Sequence, residues 1–142
     1  MPQVRHMDHF TIVTDRLEET RAFYAELGLH PGPRPNFTRG GLWLYHDGRP
    51  LLHVIATEAM PEPRRGVLDH MAFFSTGLQE ALDWVRSKNI RCRLQRAPEP
   101  FLIWQMFFPD PNGCEVELDF DPGEPAPRGW QGRPMVLEPV AA

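Results

Sequence analysis

Apolar and polar positions change period along this chain in an order that occurs twice. Residues 4–14 alternate as a strand does, with His9, Thr11 and Val13 on one side and Phe10 and Ile12 on the other. From Asp15 the spacing turns helical. Leu17, Phe23, Tyr24 and Leu27 share a face, Asp15 with Glu18 makes a capping-box-like start, and Gly28 is the expected stop. Pro31, Pro33 and Pro35 forbid more helix and predict a loop or edge strand. Short strands follow over 41–45 and 51–56, separated by Asp47-Gly48, a two-residue hairpin signal. Residues 58–66 are charged, carry prolines and read as a linker.

The order then restarts. Residues 67–74 predict a strand, and 77–88 a helix capped by Ser75 or Thr76, with Leu78, Ala81, Leu82 and Val85 as its stripe. Asn89 tolerates the left-handed stop, 91–96 is another short strand, and a hairpin completes the set. Its arms are 101–108 and 114–120, joined by Asp110-Pro111-Asn112-Gly113, where proline presets φ and glycine accepts a positive one. Residues 9, 17, 19 and 28 correspond to 70, 78, 80 and 89, each a step of 61, and residue 53 corresponds to 117, a step of 64. A repeated strand-helix-strand-strand-strand unit predicts an α+β fold of two βαβββ modules, 1–57 and 67–120, flanking the linker. Residues 121–142 are rich in proline and glycine and predict little regular structure, with Trp130, Met135 and Val136 available to pack on a surface or a partner.

Composition narrows the functional class by exclusion. The net charge is −4 with no block of Lys or Arg, which argues against binding nucleic acid or an anionic membrane. No apolar run approaches the roughly 20 residues that span a bilayer. The amino terminus has no signal-peptide apolar segment, and two cysteines without C-x-x-C spacing predict small core residues in a reducing cytoplasm.

Chemistry enters through the repeat. The strand 114–120 puts Glu115, Glu117 and Asp119 on one face, which alone describes a solvated surface. Upstream, however, His9 and His70 occupy equivalent places on the first strand of each module, both after an aspartate, and His53 and Glu117 occupy equivalent places on the last. Imidazole and carboxylate donors suit a divalent Zn, Fe, Ni, Co or Mn ion, and the lack of thiolates argues against a closed structural zinc site. His9, His70 and Glu117 would make a two-histidine, one-carboxylate set, with His53 a fourth ligand or an acid/base. Glu115 is the competing carboxylate. His6, His30 and His46 have no repeat partner and read as surface histidines, and Gln105 and Trp104 are candidates for lining the pocket.

Four segments together, Asp-His-Phe-Thr-Ile-Val-Thr-Asp (8–15), Phe-Tyr-Ala-Glu-Leu-Gly (23–28), Asp-His-Met-Ala-Phe (69–73) and Asp-Pro-Asn-Gly-Cys-Glu-Val-Glu-Leu (110–118), resemble the vicinal oxygen chelate superfamily. That group holds glyoxalase I, extradiol dioxygenases, methylmalonyl-CoA epimerase and the fosfomycin- and bleomycin-resistance proteins. The resemblance implies paired βαβββ modules in a cupped mixed sheet around a divalent metal, usually in a homodimer, with His9, His53, His70 and Glu117 as metal positions and Glu117 and His53 as catalytic ones. Glyoxalase I-like sequences usually have Glu where His53 stands. The implied activity is metal-dependent chemistry on a small substrate with two adjacent oxygens, either lyase or isomerase chemistry or dioxygenase ring cleavage. The alternative is a resistance protein: a sequestering dimer lined by Trp43, Trp104, Phe74 and Phe107, or a metal-dependent thiol transferase.

Overall fold

The computed structural model describes all 142 residues, which divide into two units, Met1–Arg64 and Arg65–Ala142. The first contains β1 (Phe10–Thr14), α1 (Leu17–Glu26), β2 (His30–Pro31), β3 (Gly41–His46) and β4 (Arg49–Ala56). Asp47 and Gly48 hold φ of 48° and 71°, the primed-turn geometry whose twist matches a hairpin, so β3 and β4 lie antiparallel. β1 pairs in parallel with the other edge of β4, giving the sheet order β1-β4-β3-β2. Ile12, Leu44, Leu52 and Val54 are buried with Tyr24 of α1, so alternate residues, Thr11 and His53 among them, lie on the other face. A side chain at Gly41 would run into the Val54 carbonyl oxygen, so the close approach of β3 to β4 there depends on glycine.

The second unit holds β5 (His70–Ser75), α2 (Leu78–Ser87), β6 (Cys92–Arg96), β7 (Trp104–Pro109), β8 (Glu115–Phe120) and β9 (Met135–Leu137), in the order β5-β8-β7-β6-β9. The first four of these strands repeat the order of the first unit. The register repeats too: Thr11 lies opposite His53 across the parallel β1/β4 pair, and Ala72 lies opposite Glu117 across β5/β8. Asp110 shapes the β7–β8 turn. Its Oδ1 accepts the backbone N–H groups of Asn112 at 2.8 Å and Cys114 at 2.9 Å, while Gly113 takes a φ of 87°. The core face carries Met71, Phe108, Met106, Val116, Leu118 and Leu94, and Trp84 of α2 meets Phe108 edge to face.

Several local expectations are corrected. Strand pairing begins at Phe10 rather than at residue 4. Asp15 does not cap α1; Arg16 occupies that position with no side-chain cap, and the turn is held by Thr14, whose Oγ1 accepts the Arg16 N–H and pairs with the Thr20 hydroxyl. Neither Ser75 nor Thr76 caps α2. Gly77 stands at the cap with φ of 82°, and the Glu124 carboxylate accepts the N–H groups of Gly77 at 3.0 Å and Leu78 at 2.7 Å. A carboxylate there satisfies two orphan donors and complements the positive end of the helix dipole. Glu124→Ala is therefore expected to lower unfolding stability by about 1 kcal/mol, read as a lower urea midpoint, with Glu124→Gln intermediate. An unmoved midpoint in both variants would mean that solvent caps α2 equally well.

The tail is more ordered than its composition predicts. β9 adds to β6 in antiparallel register, Trp130 stands edge-on to Trp104 at 5.0 Å, Arg128 pairs with Asp83 at 2.8 Å, and Asn89 exchanges two hydrogen bonds with Val140. Both cysteines are free; burial pushes the thiol of Cys92 up to about 12 and that of Cys114 up to about 11. No helix is long and apolar enough to cross a membrane.

Candidate metal centre

The two Asp-His dipeptides do the same thing in each unit. His9 stands just ahead of β1 with Nδ1 2.6 Å from Asp8 Oδ2, and His70 opens β5 with Nδ1 2.9 Å from Asp69 Oδ2. An ionised carboxylate only accepts, so each Nδ1 carries the proton and each ring turns Nε2 away from its aspartate. These hydrogen bonds hold the carboxyls of Asp8 and Asp69 below the usual range.

His53, on β4, lies between two rings. Its centroid is 3.7 Å from that of His9 and 4.1 Å from that of Trp43, with the planes nearly parallel. Burial, and then the nearby charge of His9, lower its pKa, against the opposing charge of Asp8. Burial thus favours the neutral His53 ring, the form that can ligate an ion. His9 and His70 have Nδ1 engaged, and His53 Nε2 is buried without a hydrogen-bond partner.

His70 differs because its second nitrogen is also engaged, with Nε2 2.7 Å from Glu117 Oε2. Asp69, and behind it the charge of Glu117, raise the His70 pKa against burial. Glu117 is 4% exposed, so the carboxylate face of β8 is not the solvated surface that its alternation suggested. Burial, and then the adjacent Asp119 carboxylate, raise its pKa, while His70 and Gln105 pull it back. Gln105 donates its amide N–H to Glu117 Oε1 at 2.7 Å. Glu115, the rival carboxylate, instead pairs with Arg65 at 3.1 Å.

Among the candidate lining residues, Gln105 reaches Glu117 while Trp104, its neighbour on β7, points to the opposite face and is fully buried. Trp104 belongs to the core, where its Nε1 donates to the Glu124 carbonyl at 3.2 Å. Trp43 stacks on His53, Phe107 meets the His70 ring edge to face at 5.8 Å, and Phe74 is 71% exposed. His6, His30 and His46 are exposed. Each unit thus brings together one pair of the four candidate ligands, His9 with His53 and His70 with Glu117, and neither unit alone gathers three His, Cys, Asp or Glu side chains in a metal-holding group. The donors fit a divalent ion of the borderline class: nitrogen and oxygen only, tautomers set from behind, and one buried Nε2 lacking a partner. The holders of Nδ1 were visible in the sequence as the aspartate before each histidine. Gln105 carried no signal beyond its place on the strand.

Comparison with known proteins adds the family. The model of the Glyoxalase/Bleomycin resistance protein/Dioxygenase superfamily matches residues 6–118. Among solved structures, a Bacillus anthracis protein described as of the glyoxalase family is similar at 23% identity and a TM-score of 0.68, over 85% of this chain and 98% of that one. A glyoxalase family protein from Enterococcus faecalis is similar at 23% identity and 0.59, over 81% and 97%. A virulence protein from Salmonella typhimurium is similar at 17% identity and 0.62, over 84% and 99%. Among curated proteins, none matches the sequence.

Proposed function

Since the chain belongs to the Glyoxalase/Bleomycin resistance protein/Dioxygenase superfamily, we propose that it is a metal-dependent enzyme acting on a small substrate with two adjacent oxygens. His9, His53, His70 and Glu117 would hold the ion, in a cytoplasmic homodimer. The observation that carries this reading is that His9 and His70 are each held at Nδ1 by the preceding aspartate, with His53 Nε2 buried and unpartnered beside His9. A hydrogen-bonded core histidine has no need of that arrangement, whereas a ligand does. When bound, the ion would supply Lewis-acid stabilisation of the negative charge that develops on the substrate oxygens.

The chain's own groups supply the proton chemistry. Glu117 is buried and its carboxyl is raised towards neutrality, which, once substrate displaces it from the ion, suits taking a proton at Oε2 and giving it back. If His53 is not ligated, its ring, kept neutral by burial, offers a second base at Nε2. Proton movement between two carbons serves lyase or isomerase chemistry, and the same donor set serves ring cleavage with dioxygen. A sequestering cup or a thiol transferase is the competing assignment.

Metal analysis of the purified protein, followed by calorimetric titration with Zn²⁺, Co²⁺, Ni²⁺, Mn²⁺ and Fe²⁺, tests the reading. One ion per site is expected. Affinity should fall on acidification, because a ligating His70 must give up the proton that Asp69 and Glu117 stabilise. That loss begins above the ordinary histidine value, at about tenfold per pH unit for one competing proton, whereas His53 titrates lower and adds its loss later. A protein that takes up no divalent ion yet binds hydrophobic small molecules would be a sequestering cup. Turnover that appears only with an added thiol would make it a transferase.

A further inference from the structure

Glu117 does not stand alone on its sheet face. A line of side chains crosses three strands to reach it. Arg93 on β6 donates through Nη1 to Gln95 Oε1 at 2.7 Å, Gln95 Nε2 donates to Gln105 Oε1 at 3.0 Å, and Gln105 Nε2 donates to Glu117 Oε1 at 2.7 Å. The pairing register accounts for the row: Gln95 lies opposite Gln105, and Arg93 and Glu117 flank Phe107 on either side. The Arg93 guanidinium is itself held over the Phe107 ring, 4.3 Å from its centroid.

The chemistry of the two ends gives the line one direction. A guanidinium can only donate, so Gln95 must turn its oxygen towards Arg93 and its nitrogen towards Gln105; an ionised carboxylate can only accept, so Gln105 must turn its nitrogen towards Glu117. With both amides aligned, Glu117 Oε1 is occupied and Oε2 is the oxygen directed at His70. Hydrogen bonds ending on a charged group are the stronger kind, and a chain of them polarises in one sense.

We propose that Arg93, Gln95 and Gln105 form a directional relay that positions Glu117, with Gln105 as the residue in contact and Gln95 as the one that sets its orientation. This inference rests on the reading of Glu117 as a metal ligand. In that role the relay restricts the carboxylate to ligation through Oε2 and leaves Oε1 committed to the protein.

Position 95 offers a test in which direction and charge predict opposite results. Gln95→Glu still accepts from Arg93 but has no donor for Gln105, so the Gln105 amide turns its nitrogen towards residue 95 and presents its oxygen to Glu117. Gln95→Lys can still donate to Gln105 Oε1 and keeps the direction. If the relay operates, Co²⁺ affinity measured by calorimetry, with the visible Co²⁺ spectrum as signature, falls about tenfold or more in Gln95→Glu and changes little in Gln95→Lys. If only local charge matters, the added carboxylate tightens Co²⁺ binding and the added ammonium weakens it, which would overturn the relay. Equal losses in both variants, with equally lowered melting temperatures, would reduce position 95 to packing and overturn it as well. The metal-free protein gives an independent readout. The Gln105 side-chain amide protons should be shifted downfield and slow to exchange, and Gln95→Glu should move them. Unshifted protons reject the relay whether or not metal binds, whereas shifted protons with no Co²⁺ uptake by the parent protein would keep the relay and reject the metal role.

Discussion

His70→Ala is expected to lose tight divalent-metal binding and catalytic activity together. The side chain is linked to Asp69 on one nitrogen and to Glu117 on the other, so its removal takes away one donor and also the cation that partners a buried carboxylate. Glu117 would keep only the Gln105 hydrogen bond against burial and the Asp119 charge, and its carboxyl would rise further towards the neutral form, which binds metal poorly. Losing a ligand should exceed the roughly 10- to 100-fold loss seen when a residue supporting a ligand is removed. Calorimetry with Co²⁺ or Zn²⁺ measures it, with the melting temperature of the metal-free protein as the check on folding. Full metal occupancy in His70→Ala would remove His70 from the ligand set. His9→Ala provides the companion result: an equal loss means that both pairs serve one ion, and an undisturbed His9→Ala protein with an emptied His70→Ala protein means that they do not.

Trp104→Ala is expected to be the most destabilising single change in the second unit. The ring is fully buried, the Trp130 ring stands edge-on to it at 83°, the Arg96 guanidinium lies 4.5 Å from its centroid, and its N–H bonds to the Glu124 carbonyl. Truncation to alanine empties a large volume and releases the tail segment that also caps α2, at a cost of about 3–5 kcal/mol. Trp104→Phe keeps most of the ring but leaves the Glu124 carbonyl without its donor, at about 1–2 kcal/mol. Urea unfolding followed by tryptophan fluorescence and circular dichroism measures both. A loss below about 1 kcal/mol for alanine would mean that residues 121–130 do not pack on β7 in solution.

The local order of elements was legible because each carries its own period and punctuation. Asp47-Gly48 reverses the chain between β3 and β4, and Asp110-Pro111-Asn112-Gly113 does so between β7 and β8, each with positive φ where the residue types allow it. The helix starts were misread for a physical reason. Asp15 and Ser75 or Thr76 are competent caps by type, yet capping depends on where the backbone donors point, and at α2 the acceptor comes from Glu124, 46 residues from Leu78 along the chain. Strand β9 was missed on the same ground. Met135-Val136-Leu137 is too short to announce itself among prolines, and it becomes a strand because β6 presents a free edge to it.

The four candidate ligands were legible because the repeated element order puts His9 and His70 a step of 61 apart and His53 and Glu117 a step of 64 apart, at equivalent places in the two modules. The sequence by itself therefore determined the α+β class, the repeated module and the residue types available to an ion, all of which follow from periodicity and counting. Only the tertiary structure decided that Glu117 is buried, that Glu115 is committed to Arg65, and that Gln105 and Gln95 stand behind Glu117. Those facts depend on register between strands distant in sequence, and in a sheet a slip of one residue would turn every one of these side chains to the opposite face.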